Sequence, residues 1–348
     1  MRRLPFLDWS RGFAVLIMIL CHSFNSFTQV PLRSTGGYIL SQSIGGMASV
    51  LFLFMAGMTL GFQMASADRR QPSLLLRWRS AAGRGVYVLA LAYLFRITTW
   101  AFDYPGVPAR AILKVDILNC MGMAMLLLSA IVMIGPARRA WAAAAAGCAI
   151  IALSPLVALP DWSPVPTVIY EYIVQQRGVF ALFPYAAHLA LGLAAGLLLT
   201  RAEKLNLDHL MLGSAALGTA LVMIGKYASG LPYTLYSKID YWFNSPALMT
   251  IRTGIVLLIL AASYLWTEYA ARGGWSWMQV LGKTSLLVYF VHIMIVYGWV
   301  SQPWRRALTI EHSAIVTILI TAAMVGLAQL RLMQLERAKL RRVPPALA

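Results

Sequence analysis

Two histidines stand where acid–base or acyl chemistry could be done inside an apolar medium. The N-terminal segment opens Leu7-Asp8-Trp9-Ser10-Arg11-Gly12 and reaches His22 eleven residues after Arg11. Eleven helical residues make about three turns and about 16 Å of rise, so Arg11 and His22 share a face. Asn25 and Ser26 continue it. Asp8 falls in the first turn, where a helix N-terminus favours a carboxylate and where Arg11 is within reach. A capping ion pair at the membrane surface is the plain reading of Asp8 and Arg11; a charged lead-in to a buried base is the functional one. The segment from Leu281 to His292 echoes this pattern, with Ser285, Tyr289 and His292 at i, i+4 and i+7 on one face. His292 lies nine residues past Lys283, about 14 Å along a helix, so the two histidines are expected at similar depth. A neutral imidazole can take a proton as general base near pH 7, or take an acyl group as nucleophile. The residues leave both open, and leave structural hydrogen bonding open for His292.

Other polar side chains fall within or beside apolar stretches: Arg96, Asp116, Asn119, His188 just after Pro184, and Arg252. Ionisable groups in hydrocarbon are costly, so each is a substrate-binding candidate or one half of an interhelical pair. Arg96, Asn25 and Asn119 are the candidate donors to a developing oxyanion. Arg69, Arg70, Arg77, Arg79 and Arg84 make the densest basic stretch, suited to the phosphates of an acyl-CoA. No Walker loop, dinucleotide fingerprint, GxSxG elbow or HExxH helix occurs. The histidines are scattered, and Cys21, Cys120 and Cys148 form no CxxC, so neither a metal site nor a disulfide framework is expected.

The elements that must position these residues are membrane helices. The 348 residues are 60% hydrophobic and 12% charged, with a mean hydropathy of +0.70; soluble domains carry about 25% charged residues. Apolar blocks at about 10–28, 44–64, 82–100, 116–135, 140–159, 179–199, 209–229, 247–267, 279–300 and 310–330 each suit one bilayer crossing. An all-α polytopic bundle of about ten transmembrane helices follows. The first block has no small-residue cleavage site behind it and is expected to be retained. With the N-terminus inside, inner segments collect eighteen of the 29 Lys and Arg, outer loops eight, and spans three, so both termini are expected in the cytoplasm. The net charge of +17 thus reflects membrane topology, and no nucleic-acid motif accompanies it. Residues 1–330 are expected to form a single transmembrane domain. Residues 331–348 should form a basic cytoplasmic helix, ended by Pro344 and Pro345, lying on anionic lipid headgroups. Gly57 and Gly61 read as a close helix-packing pair.

The run Arg3-Leu4-Pro5-Phe6-Leu7-Asp8-Trp9-Ser10-Arg11-Gly12-Phe13, continued to Cys21-His22-Ser23, resembles the opening of the heparan-α-glucosaminide N-acetyltransferase catalytic-domain family. The Arg-to-His spacing is also similar to the broader acyltransferase 3 group. Leu51 to Gly57 resembles the family's second helix, Leu113 to Gly122 its fourth, and Phe183-Pro184-Tyr185 with Leu191 to Gly196 matches more loosely. Lys283 to His292 resembles a C-terminal element of related membrane acyltransferases. The resemblance implies acyl transfer, usually of acetyl from acetyl-CoA on the cytoplasmic side to a saccharide or glycolipid amine or hydroxyl at the outer side. It carries the family histidine to His22 and the Asp-x-x-Arg-Gly element to Asp8 and Arg11. A transporter or channel using the intramembrane His, Arg and Asp residues as a proton relay is the competing reading. It should show an inverted repeat or paired broken helices, and the sequence displays neither.

Overall fold

The computed structural model describes residues 4–103, 106–201, 206–233, 235–271 and 274–340. Arg2, Arg3, Lys204, Arg272, Arg341, Arg342, Pro344 and Pro345, which carry part of the expected inner charge and the end of the tail, lie outside the described residues.

Among the described residues every extended regular element is a helix. The α-helices are α1 (Pro5–Phe27), α2 (Gly36–Arg70), α3 (Leu74–Asp103), α4 (Ile117–Leu128), α5 (Arg139–Val157), α6 (Thr167–Ile173), α7 (Leu182–Arg201), α8 (Leu207–Ser229), α9 (Pro246–Leu265), α10 (Trp277–Lys283), α11 (Ser285–Tyr297) and α12 (Ile310–Leu340). Among the described residues eight helices are long and apolar enough to cross a membrane, and nine if α10 and α11 together make one crossing. Two of the ten expected spans therefore take a different form. Residues 116–135 become a short apolar helix, Ile117–Met133, whose last turns tighten to 3-10 geometry. Its length falls below the roughly 20 residues that span hydrocarbon. Residues 279–300 bend by 89° between α10 and α11. Thr284 sits at the break with φ −119° and ψ 19°, and its hydroxyl donates to the Val280 carbonyl at 3.0 Å. In contrast, α12 continues past residue 330 without interruption to Leu340, so the last span and the described part of the basic tail are one helix.

The chain forms two compact units, one of residues 1–48 with 262–348 and the other of residues 49–261. In the first, α1 packs on α10, α11 and α12. Pro5 opens α1 and Asp8 stands in its first turn, both favourable at a helix start. The α1–α10 crossing is set by two glycines. A Cβ on Gly12 would lie 1.8 Å from the Met278 carbonyl oxygen, and one on Gly282 would lie 1.8 Å from that of Asp8. The far end of α1 is tied to the segment before α12, where Leu308 N–H donates to Phe27 O at 2.9 Å and Gln29 N–H to Leu308 O at 3.0 Å.

In the second unit small residues again set the approach of helices. Gly57 and Gly61 of α2 meet the α7 backbone near Leu189, Leu193 and Leu197, while Gly192 and Gly196 of α7 meet that of α2 at Phe54 and Met58. The small-xxx-small pair thus has a matching pair on its partner helix. Gly85 with Gly122 does the same for α3 and α4, and Gly218 with Gly254 for α8 and α9. The capping box of Asp116 and Asn119 starts α4.

Replacing Gly282 by Val should destabilise the protein by about 1–3 kcal/mol or more, because the backbone it strikes cannot move aside. Gly326→Ala, where a Cβ meets nothing within 4 Å, is the control. Thermal unfolding of the purified variants checks it, and equal stability of the two would contradict the crossing described.

Candidate active site

The structure brings His22 and His292 together across 270 residues of sequence. His22 Nδ1 lies 2.9 Å from His292 Nε2, with the two rings within 3° of parallel. His292 is fully buried, and its Nδ1 lies 2.8 Å from the Val288 carbonyl one turn back on α11. That contact assigns the protons. A carbonyl only accepts, so His292 Nδ1 carries hydrogen and, in the neutral ring, Nε2 carries the lone pair. His22 Nδ1–H must then donate to it, which leaves the His22 lone pair on Nε2. Among the described residues nothing hydrogen-bonds that atom. The chain Val288 O, His292, His22 thus presents one basic nitrogen of fixed tautomer and orientation.

Neighbouring contacts hold α1 against α11 at this level. Ser26 Oγ donates to Val296 O at 2.8 Å, and Ser301 Oγ donates to the same carbonyl at 3.0 Å. The Tyr297 ring lies edge-on to His22 at 5.7 Å, and the Tyr289 ring stands against His292 at 5.9 Å. Cys21 and Gln42 exchange two contacts, Sγ to Oε1 at 3.4 Å and Gln42 Nε2 to the Cys21 carbonyl at 3.2 Å. Gln42, Tyr297 and Ser301 were not singled out from sequence, since nothing in their spacing marks them. Asp8 is buried and pairs with the half-buried Arg11 at 3.4 Å. Asn25 is exposed, and its carbonyl accepts from Arg33 Nη2 at 2.6 Å.

The second unit gathers Arg96, Asp116 and Asn119. Arg96 Nε lies 3.3 Å from Asp116 Oδ2 and donates to the Lys114 carbonyl at 3.1 Å. Asn119 is fully buried and its Nδ2 reaches the Tyr172 hydroxyl at 3.4 Å, which meets the Tyr93 hydroxyl at 2.9 Å. Burial first, then the Tyr93 hydrogen bond, hold the Tyr172 phenol above its ordinary pKa, so it stays protonated. The Glu171 carboxylate accepts from Val115 N–H at 3.3 Å. Glu171 and Tyr172 come from the short helix α6 between apolar blocks, where span-based reading does not look. His188 and Arg252 belong to the same unit but to helices α7 and α9, and among the described residues no hydrogen bond joins them to this network.

The arginine stretch divides. Arg69, Arg70, Arg79 and Arg84 are exposed. Arg77 is held by Asp68 at 3.3 Å and by the Gln71 carbonyl at 2.9 Å. Asp68 also binds Arg139 at 2.6 Å. Arg139 is only 1% exposed, and its other nitrogens donate to Ile134 O at 2.8 Å and Val132 O at 2.7 Å. Asp68 is thus a single carboxylate clamping two guanidiniums from α3 and α5, which spacing alone could not reveal.

A helical membrane protein with a hydrogen-bonded histidine pair is the class these observations define. Residues 3–237 match the family described as heparan-alpha-glucosaminide N-acetyltransferase, catalytic. The match covers more than half of the chain, and the chain belongs to this family. It is therefore a multi-pass membrane acetyltransferase of a family that uses acetyl-CoA as donor. Among curated proteins none matches it. His22 lies inside the matched residues, whereas Arg252 and His292 lie beyond them.

Asp68→Ala should destabilise the protein by about 3–5 kcal/mol, since it strands the buried Arg139 charge. The double variant Asp68→Ala/Arg139→Met should recover much of that loss. Thermal unfolding of the three proteins measures it, and additive losses would refute the clamp.

Proposed function

We propose that this chain takes acetyl from acetyl-CoA on the cytoplasmic side and transfers it to the amine of a glucosamine-containing saccharide or glycolipid at the outer side. In this reading both termini are cytoplasmic, residues 1–330 act as one transmembrane domain, and residues 331–348 are a basic tail against lipid headgroups. The observation that carries the chemistry is the His22–His292 hydrogen bond in a chain of this family.

The amine nitrogen attacks the thioester carbonyl carbon, the C–N bond forms and the C–S bond breaks. His22 Nε2 takes the amine proton, and the leaving coenzyme A sulfur receives a proton in return. As His22 gains charge, its Nδ1–H bond to His292 strengthens, because charge-assisted hydrogen bonds are the stronger ones. His292 is a positioning residue, since it acts through His22. Arg69, Arg70, Arg79 and Arg84, exposed and without a carboxylate partner among the described residues, are the cations offered to the donor's phosphates. Arg96, Asp116 and Asn119 form a polar cluster suited to sugar hydroxyls. The charge asymmetry of the loops supports the sidedness.

Two experiments test this. His22→Ala should cut acetyl transfer by at least about 100-fold, the usual loss with a general base. His292→Leu should lower kcat by about 10-fold or more with little change in KM for acetyl-CoA, and His292→Gln, which keeps an acceptor near the Nε2 position, should recover part of it. Near-normal turnover of well-folded His22→Ala protein would end the catalytic role. In sealed vesicles of known orientation, acetyl-CoA confined to the cytoplasmic side should acetylate an impermeant amino sugar on the other side; product appearing only when both share the cytoplasmic compartment would overturn the sidedness.

A further inference from the structure

Two arginines within the helices of the second unit are held by carboxylates. Arg96 has Asp116 and Arg139 has Asp68. Arg252 on α9 has no carboxylate among the described residues, and its Nη1 is buried without a hydrogen-bond partner. His188 on α7 is 0% exposed, and neither of its ring nitrogens has a hydrogen-bond partner. The ring lies against the Tyr185 and Met249 backbone and senses the Arg252 charge. Met249 and Arg252 are three residues apart on α9 and so share a face. The guanidinium and the imidazole are therefore neighbours, and both hold unused donors away from water.

A half-buried cation whose Nη1 is enclosed without a partner, beside a fully buried histidine with neither nitrogen hydrogen-bonded, is costly in a membrane interior. Hydrophobic neighbours cannot relieve it, and a second cation would worsen it. A group with negative charge and several lone pairs relieves both. The guanidinium fork can give it two parallel N–H bonds, and a ring N–H can give a third. We propose that Arg252 and His188 form a site for an oxyanion, a sulfate, phosphate or carboxylate, carried by one of the two substrates. That the oxyanion rides on a substrate rests on the acetyltransferase reading; the site itself does not.

The test is equilibrium binding to purified protein in lipid nanodiscs, which needs no turnover. The probes are glucosamine against glucosamine 6-sulfate, and acetyl-CoA against its 3′-dephospho form. Wild-type protein should bind the anionic member of one pair about 10-fold more tightly. Arg252→Gln should collapse that preference, and Arg252→Lys should keep part of it. A preference lost from the sugar pair assigns the oxyanion to the acceptor, and one lost from the donor pair assigns it to coenzyme A. If Arg252→Gln fails to fold, His188→Gln gives the same comparison, with a several-fold loss expected. Wild-type protein showing no preference in either pair, or variants keeping it in full, would mean that water alone meets these groups and would overturn the proposal. Acetyl transfer to plain glucosamine, followed in parallel, reports on the enzymatic reading separately: its absence with intact anion preference would sink that reading and leave the site standing.

Discussion

In hydrocarbon a polar group must find its partner within the protein, and most of this structure follows from that requirement. It explains why His292 turns one nitrogen to its own helix and the other to His22. It explains why Arg139 spends its donors on two carbonyls and a carboxylate. It also explains why serines and threonines along the helices donate back to carbonyls one turn earlier, as Thr59, Thr253 and Thr317 do. Each satisfied group restricts the helix that bears it. The His22 tautomer is the sharpest case, because a single carbonyl at Val288 decides where a lone pair points three atoms groups away.

Such partners can meet only if helices come close, and glycine permits it. Hydrophobic burial gives little drive between helices already surrounded by lipid, so close backbone packing takes its place. Gly12 and Gly282 bring α1 against α10, and the bend at Thr284 then carries α11 to the level of His22. Without that bend, a straight helix from residue 277 to 297 would have no reason to hold Val296 against both Ser26 and Ser301. In the second unit the paired glycines of α2 and α7 play the same role.

Function follows from the contrast between groups that are satisfied and those that are not. The Asp68 clamp is closed. His22 Nε2 is left with a free lone pair, which suits proton transfer, and Arg252 is left with free donors, which suits an anion. Reactive and binding groups are expected among those a fold leaves incomplete, because a completed hydrogen-bond network has nothing further to offer a substrate.

Hydropathy determined the helical class and most of the spans, because a run of about 20 apolar residues has few alternatives to crossing a bilayer. The opening motif through His22 determined the family, and small-residue spacing marked Gly57 and Gly61 as packing positions. Tertiary structure decided the rest. A residue count does not show that 116–135 is too short a helix, nor that 279–300 breaks at Thr284, since both depend on which turns find partners. Helical periodicity placed His22 and His292 each on a face, but periodicity is local and carries no information about which face of which helix it will meet. Their pairing, the tautomer it imposes, the two arginines on Asp68 and the missing partner of Arg252 all arise between segments far apart in the chain, where only packing selects the neighbour.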